Sequence, residues 1–156
     1  MGVPTEQPPA PNPLIELSDG VPLEGQGAET GNLQQYVIDG LLIDDGDTVN
    51  CSTSGDNGDA DLYLRFNADA EPIPDSTNNE CGSYSSNSNE SCTSGPAQAG
   101  DTLFAGVHAY AGYTDLSITC NIIGEGICLA RGAACSTGAD CCSGSCGGKP
   151  GSRTCK

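Results

Sequence analysis

Between residues 14 and 120, short runs rich in Val, Ile, Leu, Tyr and Thr alternate with clusters of Gly, Asp, Asn and Ser. This is the texture of strands separated by turns. The pattern predicts strands over 14–17, 35–40, 47–54, 61–66, 102–110 and 114–120, with weaker ones near 23–26 and 90–94. Successive side chains of a strand point to opposite faces. In 61–66, therefore, Leu62, Leu64 and Phe66 share one face while Tyr63 and Arg65 take the other. By the same alternation Leu116, Ile118 and Cys120 share an apolar face, as do Val49 and Cys51. No window carries a helical period of useful length. The expected fold class is all-β: a β-sandwich or jelly roll, followed by a small disulfide-rich module.

The two ends depart from that texture. Residues 1–13, MGVPTEQPPAPNP, hold five of the ten prolines and no apolar period, and read as a polyproline-like linker or tail. Residues 125–156 lose the strand period and are dense in Gly and Cys, spaced Cys128-x6-Cys135-x5-Cys141-Cys142-x3-Cys146-x8-Cys155. A segment of about thirty residues cannot fold on burial alone and needs covalent staples. The expected organisation is a tail at 1–13, a sandwich at 14–124 and a disulfide module at 125–156.

Ten cysteines, an even number, point to five disulfides and an oxidising compartment. Zinc would call for CxxC pairs and histidines, whereas the chain has no CxxC and one histidine, His108. Cys51 and Cys120 each lie mid-strand on an apolar face, so a bond between two core-facing strands is their natural pairing. Cys81 and Cys92 flank the polar loop GSYSSNSNES, which has little apolar surface with which to order itself. A local bridge there would remove about 3 kcal/mol of unfolded-chain freedom. That matters in a chain with no Trp and two Phe. The six C-terminal cysteines allow fifteen connectivities. Adjacent Cys141 and Cys142 must send their bonds in different directions.

The 21 acidic and 5 basic residues are unevenly placed. Residues 1–124 hold 19 acids and one base, Arg65, while 125–156 hold four bases (Arg131, Lys149, Arg153, Lys156) against Glu125 and Asp140. A body this acidic repels phosphates and anionic headgroups, so no nucleic-acid partner is expected. No run reaches the ~20 apolar residues of a membrane helix, and no membrane insertion is expected. The start lacks a basic region followed by an apolar core. If secreted, residues 1–156 are then a mature chain or an excised fragment, and Met1 reads as a start added for expression.

The chain is expected not to be an enzyme. A Ser–His–Asp or Cys–His arrangement would have to use His108, which lies in a predicted strand, and five disulfides leave no free thiol. No two of the many acids are marked as a glycosidase pair. Asn50 and Asn89 head Asn-x-Ser sequons that matter only if the host glycosylates. The Asp44-Asp45-Gly46-Asp47 and Asp56–Asp61 runs lack full calcium-loop spacing and read as turn chemistry. Candidate binding residues are Tyr84, Tyr110 and Tyr113, the last two around the Ala-Gly turn between two strands, where rings could meet a fibrous or polysaccharide surface.

Several segments resemble the bacterial pre-peptidase C-terminal domain family: Gly-Asp-Ala-Asp-Leu-Tyr-Leu-Arg-Phe at 58–66, Asn-Glu-Ser-Cys at 89–92, Ala-Gly-Asp-Thr at 99–102 and Phe-Ala-Gly-Val-His-Ala-Tyr at 104–110. The resemblance runs over about residues 22–120. It implies a β-sandwich carried C-terminally by secreted proteases and other hydrolases, in some cases binding insoluble collagen or chitin. It also implies the Cys81–Cys92 bridge. Some relatives bind calcium through acids just before an early-strand tyrosine. Here Asn32, Leu33, Gln34 and Gln35 precede Tyr36, so the relatives' calcium pattern is absent and no cofactor is expected. The C-terminal spacing is similar to that of knottins, which implies the pairs Cys128–Cys142, Cys135–Cys146 and Cys141–Cys155.

These readings converge on a secreted, non-catalytic binding, targeting or adhesion module related to a bacterial hydrolase. The expected partner is an extracellular polymer or cell-surface ligand. Two alternatives use the same features: copies of the chain polymerising into a fibre through strand addition by the Pro-rich N-terminus, and an inhibitor or toxin carried by the C-terminal module.

Overall fold

A computed structural model describes residues 13–38, 42–66, 74–124, 131–137, 141 and 145–156. The expected tail at 1–13 lies outside them apart from Pro13. Eleven strands are described: β1 (Leu14–Glu16), β2 (Leu23–Ala28), β3 (Leu33–Ile38), β4 (Thr48–Ser54), β5 (Asp59–Phe66), β6 (Cys81–Ser83), β7 (Ser91–Ser94), β8 (Leu103–Ala111), β9 (Tyr113–Ile123), β10 (Cys146–Gly147) and β11 (Thr154–Cys155). Among the described residues no helix is long and apolar enough to cross a membrane.

Nine strands make two sheets. Sheet I runs β1-β3-β8-β5-β6 and sheet II runs β2-β9-β4-β7. All neighbours are antiparallel except β1 and β3, which are parallel. One core cluster joins them, with Ile38, Leu62, Leu64 and Val107 from sheet I and Val49, Leu116 and Ile118 from sheet II. Each of these comes from an inward position of the alternation, which is why short strands with so few aromatics still close a core. The chain is thus an all-β sandwich. Phe66 packs partly buried against the cluster.

Three departures from strict alternation have local causes. β6 contains no large apolar residue; it exists because it pairs with β5 and is tied through Cys81. Tyr113 and Leu116 are both buried although three residues apart. Asp115 between them has φ 54°, and the β2–β9 register shifts there, so a bulge resets the parity. The C-terminal segment, for which no strand was expected, pairs β10 with β11 so that Cys146 faces Cys155.

The disulfides include Cys51–Cys120, Cys81–Cys92, Cys135–Cys146 and Cys141–Cys155. Cys128 and Cys142 lie outside the described residues. The Cys51–Cys120 bond joins two core-facing strands as expected, whereas Cys81–Cys92 does more than close a loop. Cys51 and Cys120 are directly opposite in adjacent strands of sheet II, with Cα atoms 4.0 Å apart. The supposedly local Cys81–Cys92 bond joins β6 of sheet I to β7 of sheet II, and so ties the two layers together. The sulfurs of Cys135, Cys141 and Cys146 lie within 4.8 Å of one another because two disulfides meet there.

Candidate functional site

On the outer face of sheet I, alternation and register bring polar and aromatic residues into one patch. Asp61 and Tyr63 of β5 point outward beside His108 and Tyr110 of β8, with Asp61 paired to His108 and Tyr63 to Gly106. On the other side Tyr63 faces Gly82 of β6. A Cβ on Gly82 would stand 3.2 Å from the Tyr63 ring, and one on Gly106 only 2.1 Å from the Pro74 carbonyl oxygen. The glycines thus let the ring and the 74–79 segment lie directly on the sheet. An open cleft of about 570 Å³ results, lined by Asp61, Tyr63, Gly82, His108 and Tyr110 together with Ser76, Asn79 and Tyr84.

Each wall of the cleft is fastened by hydrogen bonds. Asp75 Oδ1 accepts from Thr77 N and Thr77 Oγ1, both at 2.7 Å, and from Asn78 N at 3.0 Å. These bonds hold its carboxyl below the usual carboxylate range. Arg65 Nη1 donates to Asn78 Oδ1 at 2.6 Å, which anchors this turn to β5. On the opposite side, buried Glu90 accepts from Ser83 Oγ, from Ser85 N at 2.7 Å and from Ser85 Oγ at 2.5 Å. Its own backbone exchanges bonds with Thr53 of β4. The polar loop expected to depend on a disulfide for order is therefore also organised around one buried carboxylate. The neighbours of Tyr84 are held in place while its ring projects outward.

The three tyrosines read as binding candidates do not stay together. Tyr84 and Tyr110 are 72% and 69% exposed and both line the cleft. Tyr113 is 2% exposed and belongs to the core, which corrects that assignment. β8 runs to Ala111, so the crossing from sheet I to sheet II is the single residue Gly112, and Tyr113 already opens β9 on the inward side. Burial pushes its hydroxyl up to about 12, and the buried oxygen has no hydrogen-bond partner among the described residues. Asp61, Tyr63 and His108 were not picked out as a binding patch. Period-2 alternation puts each pair on one face of its own strand, but only the β5–β8 register sets the pairs side by side.

The acids cluster chemically at the base of the cleft. Asp61 is 9% exposed, and its carboxyl is raised, first by burial, with Tyr63 donating to Oδ2 at 3.3 Å as a counteracting effect. Tyr63 is pushed up to about 12 by burial and by Asp61. His108 Nδ1 stands 3.9 Å from Asp61 Oδ2, beyond hydrogen-bond distance. The Asp–His approach therefore lacks the base–orienter bond of a catalytic triad. A second cleft of about 280 Å³ shares Asp61, Tyr84 and Tyr110 and adds Asp59, Ser85 and Ser86. Asp59 Oδ1 is buried there without a partner among the described residues.

The two acidic runs form turns. Asp47 Oδ2 accepts from Asp44 N at 2.8 Å, and Gly46, at φ 89°, donates its N–H to Ala97 O. Asn57 exchanges bonds with Thr114 at 2.8–3.2 Å, pinning the β4–β5 turn to β9.

No family model matches the chain. Over 113 residues, 72% of this chain, it is 32% identical to alkaline serine exoprotease A of Vibrio alginolyticus. The match takes in 20% of that protein, so the chain spans about a fifth of the length of this relative. A solution structure described as vEP C-ter 100 is 27% identical and covers 67% of this chain and 96% of its own, at a TM-score of 0.51. The pre-peptidase C-terminal domain of a collagenase from Bacillus anthracis covers 72% of this chain and 98% of its own, with 8% identity and a TM-score of 0.52. The sandwich has the fold of such a C-terminal domain. Both solved structures are described as C-terminal parts of their proteins, and the relative matched in sequence is a protease.

Proposed function

We propose that this chain is a non-catalytic extracellular module, related to the C-terminal domains of secreted hydrolases, that holds its host or itself to an extracellular polymer through the outer face of sheet I. The observation that carries this reading is the pair of exposed rings, Tyr84 and Tyr110, flanking a cleft on a sheet whose other face is core. Rings whose flanking residues are held by Glu90, for Tyr84, and by β8, for Tyr110, present apolar area at little ordering cost. The likeness to protease C-terminal regions supports a role beside catalysis rather than in it. The disulfides support an oxidising setting outside the cytosol. Residues 125–156 are read as a knottin-like appendage whose staples resist extracellular proteolysis.

The test is sedimentation of the full chain with insoluble collagen, chitin and cellulose, comparing the native protein with Y84A/Y110A. Retention on one polymer that the double variant loses at least tenfold supports the reading. Retention on none of them, or retention indifferent to both tyrosines, overturns it.

A further inference from the structure

The two clefts of sheet I meet at Asp61, Tyr84 and Tyr110, and form a groove whose walls are aromatic and whose base is acidic. We propose that this groove takes the side chain of a lysine or arginine from a basic polypeptide. The aliphatic stem would lie between Tyr84 and Tyr110, and the charged head would reach the Asp61 carboxylate. This deepens the binding reading above and rests on it for the location of the site.

Three observations lead to that chemistry. First, Asp61 is 9% exposed where Tyr84 and Tyr110 are 72% and 69% exposed, so its carboxylate lies below the rings, and the donor it has is the neutral hydroxyl of Tyr63. A largely buried carboxylate without a cation is costly, and a ligand that brings a cationic donor offsets that cost. Second, the local positive groups do not supply that cation. His108 stops 3.9 Å from Asp61, and Arg65 donates to Asn78. Third, the exposed tyrosine faces are the surface to which ammonium and guanidinium groups are attracted through the ring quadrupole. The formal net charge of −16 also draws basic partners toward the molecule.

The depth of the carboxylates selects the class of ligand. A lysine or arginine places its charge at the end of a long apolar stem, so it can pass the rings and reach the base. An amino sugar carries its amine directly on a wide ring and would hold it at the level of the tyrosines. Burial raises the Asp61 carboxyl, so a cation bound beside it would favour its ionised form.

The experiment is a titration of the full, oxidised chain with decalysine, decaarginine, a glucosamine hexamer and neutral decaglutamine in 150 mM NaCl, followed by calorimetry and by NMR shifts. The expected result is binding of the two basic peptides with shifts at Tyr84, Tyr110 and His108. Y84A/Y110A, which keeps the net charge, should weaken it at least tenfold, and D61N similarly. D101N, away from the groove, should change it less than twofold. Equal weakening by D101N, or indifference to the tyrosines, would mean diffuse attraction to an acidic surface and would overturn the proposal. So would preference for the glucosamine hexamer. Competition separates this inference from the reading beneath it. If an insoluble polymer is held through the tyrosines but decalysine does not displace it, the lysine site fails and the binding module stands. If decalysine binds in the groove but no polymer is retained, the reverse holds.

Discussion

The sandwich and the C-terminal segment use the same residue, cysteine, for opposite purposes. In the sandwich, Cys51, Cys92 and Cys120 are buried inside a cluster that already holds Leu62, Val107, Leu116 and Ile118. The bonds there reinforce a core that alternation has drawn. In the C-terminal segment the described strands are two residues each, and Cys141 and Cys155 are the buried side chains among the described residues. The disulfides there take the place of a core. A chain can thus be covalently dense throughout and yet depend on its bonds to very different degrees.

The largest effect expected from this contrast is loss of the C-terminal segment on reduction. C141S, or mild dithiothreitol, should make residues 125–156 protease-sensitive while the sandwich stays resistant, as read by mass spectrometry of limited digests. Cleavage within β4 or β9 first would break the comparison. Next, removing Cys51 and Cys120 together should cost the sandwich about 4 kcal/mol, and removing Cys81 and Cys92 about 3 kcal/mol, by loop entropy. Both should leave a cooperative urea transition. L116A should cost about 3 kcal/mol in the same transition and leave the C-terminal segment unchanged.

A smaller effect follows from the buried phenols. Tyr63 and Tyr113 are pushed up to about 12 and Tyr36 higher still, burial being the first cause of each. Their neutral forms stabilise the fold fully below about pH 10, the unfolded value. That stability is lost as pH rises toward 12. Phenolate absorbance should therefore show three of the five tyrosines ionising together with unfolding. The smallest effect is at Asp61. Its raised folded value means that its favourable contribution is present at acid pH and is lost as pH rises through that value. D61N should accordingly remove this loss of stability between acid and neutral pH, read as a flatter pH dependence of the urea midpoint, while weakening binding in the groove.

Much of the architecture was legible residue by residue because burial on one face writes a period of two into the sequence. Leu62 and Leu64, Leu116 and Ile118, Val49 and Cys51 all show it, and all are buried. What could not be read was whatever depends on which strand lies beside which. Tyr63 becomes a groove residue because Gly82 and Gly106 flank it. Tyr113 is buried because a bulge at Asp115 resets the alternation after it. Cys81–Cys92 looked like a loop closure because only eleven residues separate its ends along the chain. Its role as a tie between layers depends on β6 and β7 belonging to different sheets. Glu90 gave no sign of being a hub, since its serine partners lie in a stretch that is polar throughout.

The position of Cys51 bears on how the molecule oxidises. In sheet II it stands in register with Cys120 on one neighbour and with Cys92 on the other. A nascent sheet II therefore aligns three thiols in one row and offers Cys51 two partners. The ambiguity ends once Cys51 bonds Cys120, or once β6 docks from the opposite layer and Cys81 captures Cys92. Pairing in one layer is thus linked to docking of the other: a Cys51–Cys92 bond would leave both Cys120 and Cys81 without their native partners.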